Sequence, residues 1–202
     1  MAFHTEPFPD LTEIRGVQFP EGTAFRQLLF VGPPGAGKTS LVGKLRGWPE
    51  EGYLDLASRW WRSPQLTFRP REVHLGFPIV GGGESMALFE PEWLADMAPI
   101  DLSRVLLPPE RRWFFQSDWR RRLIFDIQLL PAETIYELRQ SRAKRGSHLV
   151  DRAVTLSQVS RQVEAYTQLA EHFQRRGMQV HVRTSLGGPP LRVVPSERAD
   201  EP

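Results

Sequence analysis

The sequence predicts an α/β fold, a three-layer α/β/α sandwich in which a mainly parallel sheet is covered on both faces by helices. Three observations carry this. Short apolar runs alternate with longer stretches of helical period along most of the chain. The run at residues 25–31 is largely apolar at successive positions, which suits a strand buried on both faces. That run also passes through a glycine-rich turn directly into a helical stretch, the order expected where a parallel sheet is covered by helices. At 202 residues and 40% apolar content the chain suits one domain with a sizeable core.

The elements follow in order. Residues 1–22 hold Pro7, Pro9 and Pro20 and no sustained period, and read as an arm lying on a domain that spans residues 23–194. Phe25 to Val31 is the first buried strand, and a helix follows from Lys38 to Arg46, stopped by Gly47 and Pro49. Tyr53 to Ala57 is a second strand and Glu72 to Val80 a third, with Ser85 to Phe89 returning as a hairpin partner across Gly81, Gly82 and Gly83. Residues 64–121 read as an insertion that holds this hairpin and an irregular stretch rich in Pro, Trp and Arg, with short helices starting near Pro91 and Pro109. Leu123 to Leu130 is a clear strand, and Ala132 to Arg145 a helix closed by Gly146. Thr155 and Gln158 have capping-box spacing, and Leu156, Val159, Val163, Tyr166, Leu169 and Phe173 recur at steps of three or four, so a long helix runs to Gly177. Gln179 to Thr184 is the last buried strand, paired with Leu191 to Val194, and residues 195–202 read as a disordered polar tail.

Composition narrows the chemistry. The absence of cysteine removes disulfides, cysteine zinc sites and thiol nucleophiles. His4, His74, His148, His172 and His181 form no local metal motif. With 26 basic and 24 acidic residues the formal charge is +2, too near neutrality for the field of a general nucleic-acid binder. No apolar run approaches the roughly 20 residues needed to cross a bilayer, and no charged-then-apolar leader follows Met1, so a cytoplasmic protein without membrane contact is expected. Lysine occurs only at 38, 44 and 144, so Lys38 is not a by-product of a lysine-rich surface.

Gly32, Pro33, Pro34, Gly35, Ala36, Gly37, Lys38 and Thr39 fit the phosphate-binding pattern G-x-x-x-x-G-K-[ST] at every specified position, between an apolar strand and a helix. Glycines let backbone N–H groups turn toward phosphate oxygens, and the helix start adds its dipole. Lys38 is expected at the β and γ phosphates, the Thr39 hydroxyl on magnesium, and Ser40 at the α phosphate. The chain therefore resembles the P-loop NTPase superfamily, which implies ATP and Mg2+ as cofactors. A further acid normally completes the magnesium shell from a strand end. Asp126, in Leu123-Ile124-Phe125-Asp126, is the candidate, and a strand-end cap is its alternative reading; Asp55, in Tyr53-Leu54-Asp55-Leu56, is the rival.

Several branches are disfavoured. There is no Asn-Lys-x-Asp segment or D-x-x-G switch of a Ras-like GTPase, no acidic pair after Phe125, and no L-S-G-G-Q segment of a transporter ATPase. The last third is loosely similar to the small-molecule kinases, the nucleoside monophosphate kinases and their shikimate and gluconate relatives. Leu123 to Leu130 is followed by Arg139, Arg142 and Arg145, then Ser147 to Arg152 within a lid at residues 146–156, then Arg161 and Tyr166, then Val180 to Arg183. The resemblance implies that Arg142 and Arg145 neutralise charge on the transferred phosphoryl group while the lid excludes water. It also implies that Asp55 meets the acceptor hydroxyl. Leu75-Gly76-Phe77-Pro78 only echoes the D-G-[FY]-P-R segment of monophosphate kinases, with Leu75 and Ile79 in place of its Asp and Arg.

Other features read both ways. Arg111, Arg112, Arg120, Arg121 and Arg122 around Trp113, Phe114, Phe115 and Trp119 suit core aromatics covered by arginine stems better than base stacking. Trp60 and Trp61, with Arg59 and Arg62, suit either an acceptor pocket or core. The glycine triplet with Glu84 is either a hinge or a hairpin turn. The leading expectation is an ATP-dependent phosphotransferase acting on a small acceptor. The alternative is a regulatory ATPase that switches contact with a protein partner through residues 64–121, and a nucleic-acid-directed NTPase stands third.

Overall fold

A computed structural model of the chain describes residues 3–23, 27–45, 54–57, 72–76, 79–80, 86–87, 105–106 and 123–195. The expected α/β class holds at that level, as an open mixed sheet with helices. Seven strands lie in the order β1 (Phe3–Pro7), β12 (Leu191–Pro195), β11 (Gln179–Arg183), β10 (Leu123–Gln128), β4 (Gln27–Val31), β6 (Glu72–Gly76) and β5 (Leu54–Ala57). The run from β11 to β5 is parallel throughout, while β12 and β1 add antiparallel edges. Both strands at the loop junction, β4 and β10, are therefore inner strands with parallel neighbours on each side, which accounts for their near-continuous apolar sequence.

Side chains alternate across β4 and β10 with the period of two that a strand imposes. Leu28, Phe30 and Ile124 enter one cluster with Leu41 of α1 (Lys38–Lys44), with Leu45 at its C-cap, and with Val17 and Phe19. Phe125 and Ile127, with Val31 from the end of β4, turn to the other face, toward Tyr166, Leu169 and Phe173 of α3 (Leu156–Arg175). Phe125 stacks on Phe173 with ring centroids 4.5 Å apart. Burying one such aromatic is worth roughly 1.5–3 kcal/mol, so this pair is a main part of what anchors α3 to the sheet. Between β10 and α3 the chain forms α2 (Ala132–Lys144) and a 3-10 turn at Leu149–Arg152.

The N-terminal residues are more regular than their lack of period implies. They form β1 at the sheet edge and a hairpin of β2 (Leu11–Ile14) and β3 (Val17–Pro20), with Val17 and Phe19 in the core. Hydrophobic period cannot show this, because four residues are too few to define one and β1 is chosen by its partner β12. The expected third strand also divides. Glu72–Gly76 is β6 of the main sheet, whereas β7 (Ile79–Val80) belongs to a separate sheet with β8 (Met86–Ala87) and β9 (Val105–Leu106). The helices expected near Pro91 and Pro109, the glycine triplet, Trp60 with Trp61, the arginine and aromatic run at 111–122, and the tail beyond Pro195 lie outside the described residues.

The capping box is present: Thr155 Oγ accepts from the Gln158 amide at 3.2 Å and Gln158 Oε1 from the Thr155 amide at 2.9 Å. Among the described residues no helix is long and apolar enough to cross a membrane.

Candidate phosphate-binding site

The strand order makes the carboxyl end of β4 a switch point of the sheet. The next strands in sequence, β5 and β6, lie to one side of it, while β10 and β11 lie to the other. In open parallel sheets, such a point, where connections depart in opposite directions, is where ligands generally bind. The loop at residues 32–39 occupies this position, and Gln128 faces it from the end of β10.

Close packing explains the glycines of the loop. A Cβ on Gly32, whose φ is 138°, stands 2.6 Å from the Gln128 carbonyl oxygen. A Cβ on Gly35, whose φ is 91°, stands 2.7 Å from Arg139 Cγ, so the arginine stem occupies the space of a side chain. Ala36 packs into a cluster with Leu130, Ile135 and Val159, which fixes the loop to α2 and α3. Leu186, otherwise exposed, lies against Gly37. Pro33 is buried and Pro34 and Gly35 half-buried, while Thr39 and Ser40 are exposed on the first turn of α1.

Lys38 is only 7% exposed. Its ammonium donates to the carbonyl oxygens of Gly32 at 2.7 Å and Pro33 at 2.8 Å. Burial, reinforced by the charges of Arg142 and Arg139, brings its pKa down to about 7. The two arginines come from α2. Arg139 is fully buried, and its Nε donates to Asp151 Oδ1 at 2.7 Å and its Nη1 to Gln162 Oε1 at 3.3 Å. Arg142 Nη2 lies 2.7 Å from Asp151 Oδ2, a charge contact without hydrogen-bond alignment. Arg139 Nη2 and Arg142 Nε are buried and have no hydrogen-bond partner. Arg139 and Arg142 thus share one carboxylate, Asp151, and both of their charges act on Lys38.

The candidate residues part company here. The loop, Lys38 and Arg142 converge, whereas Arg145 at the C-cap of α2 is exposed. Arginines three apart drift by about 60° per step around a helix, so 139 and 142 share a side that 145 leaves. Asp55 sits on the edge strand β5, opposite His74 and separated from β4 by β6.

Asp126 is buried and both of its oxygens accept from Arg183, at 2.9 to 3.0 Å, while Oδ1 also accepts from Gln128 Nε2 at 2.6 Å. Arg183 goes on to donate to the carbonyls of Gly188 and Gln18, both at 2.7 Å, and lies over the Phe19 ring. A magnesium role for Asp126 therefore competes with a buried ion pair. Sequence reading passed over Asp151 and Gln162. The available signal for Asp151 was a lone acid in an arginine-rich segment; Gln162 had none, being one polar residue in a helix.

The chain matches no protein-family model, and comparison with curated proteins gives no significant match.

Proposed function

We propose that this protein binds a nucleoside triphosphate, ATP, with Mg2+ at residues 32–39, in a P-loop sandwich of the three-layer kind, and transfers its γ-phosphoryl group to a small acceptor in the cytoplasm. The observation that carries the reading is the meeting of Lys38, Arg139 and Arg142 at a loop whose glycines admit no side chain, beyond the end of an inner parallel strand. Lys38 exchanges two neutral carbonyl acceptors for phosphate oxygens, and charge-assisted hydrogen bonds are roughly twice as strong. Arg142 and Arg139 supply donors where charge spreads over the transferred group. Thr39, exposed at the start of α1, is the magnesium ligand on this reading. Mg2+ bridges phosphate oxygens and neutralises developing charge. We assign Asp126 to its ion pair, because releasing it leaves Arg183 buried and uncompensated. Asp55, on β5, meets the acceptor hydroxyl on this reading.

The test is calorimetric titration with ATP and Mg2+ on the full chain, with Lys38→Ala as control, followed by a search for phosphoryl transfer across a metabolite panel. Binding that is lost in Lys38→Ala together with transfer to one acceptor supports the reading. Unchanged affinity in that variant overturns it.

A second reading is favoured by one observation. Strands β7, β8 and β9, all within residues 64–121, form a sheet of their own. A regulatory ATPase that engages a protein partner through that unit predicts nucleotide-dependent capture of the partner and no metabolite acceptor.

A further inference from the structure

The α2 arginines do not reach the loop unaided. Arg139 and Arg142 stand one turn apart, and the carboxylate between them comes from a separate element, the 3-10 turn at Leu149–Arg152. Asp151 is 1% exposed, yet its neighbours Leu149 and Val150 are 62% and 65% exposed. That turn is therefore tied down through Asp151, whose backbone oxygen also accepts from Gln140 Nε2 at 3.3 Å, and not by burial of its apolar side chains. An ion pair whose purpose is stability alone should satisfy its donors. This one leaves Arg139 Nη2 and Arg142 Nε buried and unpartnered, with the Arg139 stem against Gly35 of the loop and both charges acting on Lys38, and such donors are costly without an acceptor.

We propose that Asp151 is a positioning residue that holds Arg139 and Arg142 beside Lys38, so that their free N–H groups receive the terminal phosphate and the site prefers a nucleoside triphosphate to the diphosphate. The proposal rests on the nucleotide-binding reading above. Asp151 touches no phosphate itself; it acts by fixing two guanidinium groups, of which Arg142, 25% exposed, has the more freedom to leave. A diphosphate has one phosphate fewer to engage them, so the benefit of fixing them falls on the triphosphate.

The experiment measures the affinities of the magnesium complexes of ADP and of the non-hydrolysable imido analogue of ATP, on the full chain, for wild type, Asp151→Asn, Asp151→Glu, Arg142→Gln and the Asp151→Asn/Arg142→Gln double variant. The triphosphate preference falls about tenfold in Asp151→Asn, the size of one charge-assisted hydrogen bond. Arg142→Gln shows a similar loss, and Asp151→Glu keeps most of the preference. The double variant loses more than Arg142→Gln but less than the product of the two single losses, because Arg139 is still released while Arg142 is already gone. A merely structural ion pair lowers the melting temperature and leaves the preference intact, which overturns the proposal. So does equal tightening of both nucleotides in Asp151→Asn, the mark of a carboxylate that only repels phosphate. If Asp151→Asn does not fold, an unchanged preference in the surface-reaching Arg142→Gln variant overturns the proposal by itself. Should wild type bind neither nucleotide, or Lys38→Ala bind as wild type does, the nucleotide reading falls and this inference with it.

Discussion

Lys38 is the residue where burial and charge act together. With its pKa near 7 because burial and two arginines oppose its charge, the ammonium is largely neutral at pH 8 before nucleotide binds. On the proposed reading, a bound triphosphate would stabilise the charged form and raise the pKa again. Binding at pH 8 is therefore expected to take up a substantial fraction of a proton per site, and binding at pH 6 almost none, since Lys38 is then protonated in both states. Calorimetry in two buffers of different ionisation enthalpy measures the uptake, and Lys38→Met should remove it. Gly35 is the complementary case, where the constraint is space. Its positive φ and the 2.7 Å approach to Arg139 Cγ mean that Gly35→Ala must move the arginine stem as well as strain the backbone. Such a variant is expected to lose about 1–3 kcal/mol of stability in chemical denaturation and to bind ATP more weakly than wild type.

Among the elements, α3 owes its start to local chemistry and its position to the sheet. The reciprocal bonds of Thr155 and Gln158 fix the first turn, and Val159, Ala165, Tyr166, Leu169, Ala170 and Phe173 are its buried apolar residues. Thr155→Ala should cost about 1 kcal/mol, read as a lowered denaturation midpoint, whereas Thr155→Ser should retain most of it. This helix was legible because its signal is long, periodic and punctuated by Thr155 and Gly177. The strands β1, β2 and β3 were not, since each is short and its pairing partner, rather than its own period, decides that it is a strand. Neither was the assignment of Glu72–Gly76 and Ile79–Val80 to different sheets, because Glu72 to Val80 reads as one apolar run. In the site, the eight-residue loop was fully legible as a motif. Arg139 was indistinguishable from Arg145, and only the carboxylate of Asp151 and the space at Gly35 separate them.

Over the whole molecule, Asp126 and Arg183 act as the tie between distant parts of the chain. The pair joins β10 to β11, and Arg183 extends the network to the β3 backbone at Gln18 and to the loop at Gly188. His181 nearby stays neutral at physiological pH, because burial pushes its pKa down to about 4. Breaking one partner leaves an uncompensated buried charge, so Arg183→Met is expected to cost about 3–5 kcal/mol in urea unfolding. The Asp126→Leu/Arg183→Met double variant should be less destabilised than Arg183→Met. The pair also separates two roles for Asp126. Asp126→Asn should lower stability while the magnesium dependence of ATP binding stays as in wild type; a large loss of magnesium dependence returns Asp126 to the metal shell.

What the sequence by itself determined is local: the loop at residues 32–39, the strand before it and the capped helix near the C-terminus, each specified by residues adjacent in the chain. What only the tertiary structure decided is which charges meet. Asp126 carries the signature of a strand-end acid, yet it faces an arginine 57 positions away; Asp151 is marked only as a lone acid in an arginine-rich segment, yet it stands between Arg139 and Arg142. Sequence spacing encodes helix and strand periods of a few residues. The partner of a buried charge is set instead by the order of strands in the sheet, which brings β10 beside β4 and β11 and so determines which side chains share a low-dielectric interior.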